Sequence, residues 1–110
     1  MTSVCTSYII IYMDFEWDEA KNRSNTQKHL IRFEEAQTIF DGPVLTIEDD
    51  RIAYGEVREV SYGELILPTG DVVIAVVHTT RGESIRIISA RKANRRERRM
   101  YYEHVYGRTS

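Results

Sequence analysis

The chain has 110 residues, of which 42% are hydrophobic and 29% charged. This is one globular domain, too apolar for a disordered chain and too short for two domains of ordinary size. The single cysteine, Cys5, excludes an internal disulfide framework and suits a reducing, cytoplasmic location, and no apolar run approaches the roughly 20 residues that cross a bilayer.

The net charge of −2 hides an asymmetry. Residues 1–90 carry 8 basic and 15 acidic side chains, a balance of −7, while residues 91–110 carry 7 basic and 2 acidic, a balance of +5. Such a basic end points to a polyanion or to a partner with an acidic face.

Residues 1–12 differ in character from the remainder of the chain. Small polar residues lead into the strand-like run Tyr8 to Tyr12, and Met13 stands directly ahead of a well-patterned segment. Two readings stay open: an upstream extension ahead of a single domain over residues 13–110, or a genuine edge strand. Asp14 to Trp17 then alternates polar and apolar residues, a short strand with Phe15 and Trp17 inward. Asp18 is a natural N-cap for a helix over about 19–29 whose only apolar member is Ala20. A second helix is expected from Phe33 to Phe40, stopped by Asp41-Gly42-Pro43.

From Val44 the pattern turns to strands: Val44 to Ile47, a turn at Glu48-Asp49-Asp50, Arg51 to Tyr54, and Val57 to Leu67, with Gly55 and Gly63 as bends or bulges. Pro68 to Asp71 links to Val72–Thr79, and Arg81-Gly82-Glu83 links to the last strand, Ile85 to Ala90. That strand buries either Ile85, Ile87 and Ser89 or Arg86 and Ile88. A final helix covers about 92–106. The order gives an α+β domain: two N-terminal helices, an antiparallel sheet of about four strands, and a C-terminal helix, with the helices on one side of the sheet.

Three constellations could carry chemistry. On the last helix, Ala93, Glu97, Met100, Tyr101 and His104 share one face, and Arg95, Arg96, Arg98 and Arg99 spread over the other, where they could meet phosphates. Glu97 on the apolar face needs a cationic partner, either Arg86 or Arg91. That pair would tie helix to sheet or orient a catalytic arginine. On the first helix, Lys21, Asn25, Lys28 and His29 fall at i, i+4, i+7 and i+8, a stripe suited to an RNA backbone or simply a polar surface. In the sheet, Glu56 and Arg58 share a strand face, and Arg86 and His78 lie on later strands. Transphosphorylation of RNA needs a base, an acid and cations for the charge building on phosphorus. Glu56, His29 or His78 could move the proton, with Arg58 and Arg86 stabilising the phosphorane. No zinc-ligand spacing, phosphate-binding glycine loop or nucleophile elbow is present.

Phe15-x-Trp17-Asp18, Lys21, Asn25-x-x-Lys28-His29, Phe33 to Ala36, Phe40-Asp41, Gly55-Glu56-x-Arg58, and Arg86 to Ala93 with Glu97-Arg98 and Tyr101 together resemble the BrnT toxin family. The resemblance spans about residues 14–103. It implies a RelE-like fold and a type II toxin, a ribonuclease that stops translation, neutralised by a BrnA-type antitoxin that also binds operator DNA. On that basis the expected activity is a metal-independent endoribonuclease with no cofactor. His29, Glu56, Arg58, Arg86 and Arg91 would be catalytic. Lys21, Asn25, Lys28, Arg95, Arg98, Arg99 and Tyr101 would bind RNA, single-stranded or presented on the ribosome. The alternative is a non-catalytic subunit that acts with its antitoxin as a transcriptional autorepressor. Leu30 stands where the family usually has Gly, and the Val60–Asp71 stretch is longer than the family's hairpin. His78 replaces an aromatic, so it is kept as a candidate for its chemistry alone.

Overall fold

The computed structural model describes residues 14–49 and 57–107. The expected extension or edge strand over 1–12, the strand Arg51–Tyr54, Gly55 and the catalytic candidate Glu56 lie outside the described residues. The elements are β1 (Asp14–Trp17), α1 (Glu19–His29), α2 (Phe33–Ala36) running into a 3₁₀ turn (Gln37–Asp41), β2 (Leu45–Asp49), β3 (Arg58–Leu65), β4 (Val72–Arg81), β5 (Ser84–Lys92) and α3 (Arg95–Tyr106).

Asp18 caps α1 as its sequence position suggests, accepting hydrogen bonds from the Ala20 and Lys21 amides at 2.8 and 3.3 Å. Polar bonds then hold the helix. Its inner stripe is Asn22 and Asn25, both buried, flanked by the partly buried Thr26 and His29. The Asn22 amide accepts from the Phe33 N–H at 2.8 Å and donates to Glu34 at 3.0 Å, which fixes α1 to the start of α2. Asn25 binds both backbone groups of Ala90, donating to its carbonyl at 2.9 Å and accepting from its N–H at 3.1 Å. β1 pairs β5 only along Ser84–Ile87, so the Asn25 carboxamide takes the place of a strand beyond that point.

The sheet is mixed and has five strands, in the order β1-β5-β4-β3-β2. Four are antiparallel neighbours as expected; β1 adds a fifth, parallel to β5, because the chain crosses over through α1 and α2 to β2 at the far edge and returns strand by strand until β5 lies beside β1. The helices occupy both faces rather than one. Along β4, Ile74 and Val76 enter a core with Phe33, Ala36, Ile39 and Phe40, whereas Val73 and Ala75 enter a second core with Ala93 and Tyr101 of the α3 side. Alternating residues on a buried strand serve opposite faces, so a nearly continuous apolar run here marks a central strand.

Several boundaries differ from the sequence reading. The second helix is one α turn followed by a 3₁₀ turn. β2 continues through Glu48 and Asp49 instead of turning there, because both pair with β3 opposite Glu59 and Arg58. α3 starts at Arg95 because β5 extends to Lys92 and Asn94 supplies the cap, its side chain accepting from the Glu97 N–H at 2.8 Å. Ile88 is an extra residue at a bulge: Val77 pairs with Ser89 and His78 with Ile87. The inward set of β5 is therefore Ile85, Ile87 and Ala90, with Ser89 only partly buried. Gly63 lies in regular pairing opposite Ile74, neither bend nor bulge. A Cβ there would stand 2.7 Å from the Ile39 Cβ, so the 3₁₀ turn packs directly on bare backbone.

Candidate active site

Strand parity places three of the candidate arginines on one face of the sheet. Arg58 has the parity of Val60 and Tyr62, Arg86 lies between the oppositely directed Ile85 and Ile87, and Arg91 reaches α3 from beside Ala90. All three therefore face the α3 side. Arg86 pairs in register with Thr79 on β4 and with Glu16 on β1. The Thr79 hydroxyl donates to the Val57 carbonyl at 2.6 Å, which fixes the chain just ahead of Arg58. Arg58 and Arg86 thus flank Thr79 at one end of the sheet. Arg91 lies five residues along β5 from Arg86, roughly 15 Å away at strand rise.

Glu97 takes Arg91, and Arg86 takes Glu16. The Arg91 guanidinium donates twice to Glu97, at 2.9 and 3.0 Å, while Glu97 also accepts from the Asn94 N–H at 2.9 Å and the Tyr62 hydroxyl at 3.1 Å. These hydrogen bonds, the Arg91 pair first, hold the Glu97 carboxyl down to about 2 against the opposing effect of burial. It stays ionised and cannot shuttle protons near neutrality. Arg91 is likewise pushed up by Glu97 and spends its charge tying helix to sheet. The Arg86–Glu16 contact is looser, 3.5 Å between side chains that are 30% and 42% exposed, and leaves Arg86 able to meet a phosphate. A pocket of about 250 Å³ opens on this face, lined by Ile47, Glu48, Asp49, Val60, Tyr62, Arg91 and Glu97.

Other candidates fall elsewhere. Asn25 and Tyr101 are interior residues and do not present an RNA-binding surface. Asn25 is bonded to the Ala90 and Ile31 backbone, and Tyr101 is fully buried, its hydroxyl donating to the Pro43 carbonyl at 3.0 Å. The helical stripe read from sequence is rotated, since Asn25 points in while Lys21 and Lys28 stay exposed on the flanks. His29 closes α1 and is half-buried. His78 is buried on the opposite face from the arginines, edge-on to Phe40 at 5.3 Å, with Nε2 2.7 Å from the Ser61 Oγ. Burial pushes it down to about 4, and Glu59 stands 3.8 Å from Nδ1, beyond hydrogen-bond reach. His78 is thus a neutral core residue. Arg95, Arg98 and Arg99 are exposed along α3. Glu16 and Thr79, beside Arg86, were missed because only β-pairing brings them there.

Among the described residues, no group of three or more His, Cys, Asp and Glu side chains is placed to hold a metal ion, and no helix is long and apolar enough to cross a membrane. A family profile described as "Ribonuclease toxin, BrnT, of type II toxin-antitoxin system" matches residues 17–97, most of the chain. The chain belongs to this family. BrnT proteins are ribonuclease toxins, and a type II system implies a protein antitoxin as partner. Among solved structures, the ribonuclease toxin BrnT of Brucella abortus, determined at 1.1 Å resolution, matches with a TM-score of 0.54 and 24% identity. The match covers 76% of this chain and 99% of that one, and it shows a shared fold. No curated protein matches the chain.

Proposed function

We propose that this BrnT-family chain cleaves RNA without a metal ion on the Arg58–Arg86 face, so halting translation and growth, and that a BrnA-type antitoxin neutralises it. The observation that carries this reading is the shared face of Arg58 and Arg86, flanking Thr79 and looking toward α3. Two guanidinium groups fixed on a rigid sheet can stabilise charge on a pentacoordinate phosphorus without reorganising during the reaction. Exposed Lys21, Lys28, Arg95, Arg98 and Arg99 add phosphate contacts. Glu56, two residues ahead of Arg58 in sequence, is the proposed base, and His29 at the end of α1 the proposed acid. Arg91 supports the site through α3. The antitoxin, covering the basic end, would carry operator DNA binding for the pair, and ribosome-bound messenger RNA is one form the substrate can take.

The test is growth on induced expression of the wild type beside Arg86→Ala, followed by cleavage of a single-stranded RNA in excess chelator. Arrest and cleavage by the wild type, both lost in an equally soluble variant, support the reading. Wild-type cleavage that vanishes with chelator overturns metal independence. Absence of arrest and cleavage in the wild type favours the non-catalytic subunit.

A further inference from the structure

Four exposed arginines, Arg95, Arg96, Arg98 and Arg99, crowd the first turns of α3. For helix stability this is the wrong end, because a helix N-terminus carries the positive pole of the backbone dipole and disfavours cations. Among the described residues only Arg98 of the four makes a side-chain hydrogen bond, to the Ala93 carbonyl at 3.3 Å. A local choice that works against the fold and serves no core contact is what a binding surface produces.

The stripe continues into aromatic residues. Arg95, Arg98, Tyr102 and Tyr106 succeed one another at helical spacing and share a face. Tyr102 is 39% and Tyr106 55% exposed, and their rings stack with centroids 5.8 Å apart at 28°. Buried Tyr101 lies edge-on to Tyr102 at 5.4 Å, and Glu64 accepts the Tyr106 hydroxyl at 3.0 Å. The ladder therefore ends in a ring held in place from one face and by its hydroxyl. Glu64 and Asp71 lie near the Tyr102 and Tyr106 hydroxyls, so a polyanion would keep its phosphates at the arginine end and bring something uncharged to the tyrosines.

We propose that the Arg95–Arg98–Tyr102–Tyr106 face of α3 is a platform for single-stranded RNA, with phosphates on the arginines and one base stacked on Tyr106. The proposal rests on the RNA-cleaving reading above and adds to it a base contact outside the Arg58–Arg86 site, one that only an unpaired base can make. A duplex can offer phosphates to the arginines but keeps its bases inside, whereas a single strand can splay a base onto an aromatic ring. An acidic polypeptide would use the arginines and have no use for the stacked ring.

The experiment is fluorescence anisotropy of the full chain with a short 2′-O-methyl oligonucleotide, which cannot be cleaved through its 2′-oxygen, single-stranded and as a duplex. Tyr106→Ala is expected to weaken single-strand binding about tenfold and to leave duplex binding unchanged. Tyr106→Phe, which keeps the ring and loses the Glu64 bond, and Tyr106→Trp should both retain affinity. Equal single-strand affinity in Tyr106→Ala and wild type overturns the platform alone, as does an equal loss for duplex. If the wild type binds polyglutamate but not the oligonucleotide, both the platform and the RNA-cleaving reading fall.

Discussion

Arg91 and Glu97 meet through two hydrogen bonds, 2.9 and 3.0 Å long, between the last strand and the C-terminal helix. Because Glu97 is also the capping-box residue of α3, one carboxylate both starts the helix and fastens it to the sheet. The folded carboxyl lies at about 2, below its ordinary 4.5. A depressed acid stabilises the fold above its unfolded value and loses that contribution as pH falls through the folded one. Glu97→Gln should therefore cost about 2 kcal/mol at neutral pH, discounted for the 39% exposure of the Arg91 side chain. The difference from wild type should shrink between pH 4.5 and 2 in denaturant titrations.

His78 gives a second and separate pH dependence. Burial lowers it from 6.5 to about 4, so between those values the unfolded chain binds a proton that the folded chain refuses. Stability is fully present above 6.5 and falls with pH through this window, by about 2 kcal/mol at pH 5. In His78→Phe that slope should vanish while the acid limb set by Glu97 remains; a persisting slope would assign it to another group.

Asn25→Leu tests the substitution of a carboxamide for a strand. It would leave the Ala90 N–H and carbonyl without their partner in a buried position. The expected loss is about 3 kcal/mol, measured by thermal unfolding. Lys28→Ala, three residues on and exposed, should leave stability within about 0.5 kcal/mol.

Leu30 ends α1 in the left-handed conformation, φ 62° and ψ 28°, with its side chain 80% exposed. A leucine gains nothing from burial there and carries the steric cost that glycine avoids. Leu30→Gly should raise stability by about 1 kcal/mol in equilibrium unfolding.

Arg86 separates chemistry from folding. Its side chain makes one loose ion pair with Glu16, so Arg86→Ala should melt within a few degrees of wild type. RNA cleavage should fall by about 10² to 10³ if this guanidinium stabilises the phosphorane. Retained cleavage would move the reacting phosphate away from this end of the sheet.

Much of the architecture was legible in the chain itself. Asp18 and Gly82 fixed the start of α1 and the turn between β4 and β5 through local backbone chemistry, as Gly82 adopts φ 64° in a two-residue connection. Alternation in β5 left two inward sets open, and the structure turns Ile85 and Ile87 into the core and Arg86 away from it. The family motifs pointed to a ribonuclease toxin, and the family profile supports that.

What only the tertiary structure decided lies in pairings between distant segments. Asn25 reads as a surface residue because its partner, Ala90, is 65 positions away. The same is true of the second core: helix periodicity cannot say which face of β4 a helix will cover, and both faces of that strand are apolar. Arg91 can partner Glu97 because a bulge at Ile88 shifts the parity of β5 by one residue and brings Arg91 onto the α3 face, where Arg86 lies too far along the strand to compete. Composition and spacing determine which residues are able to do chemistry; register determines which of them share a face.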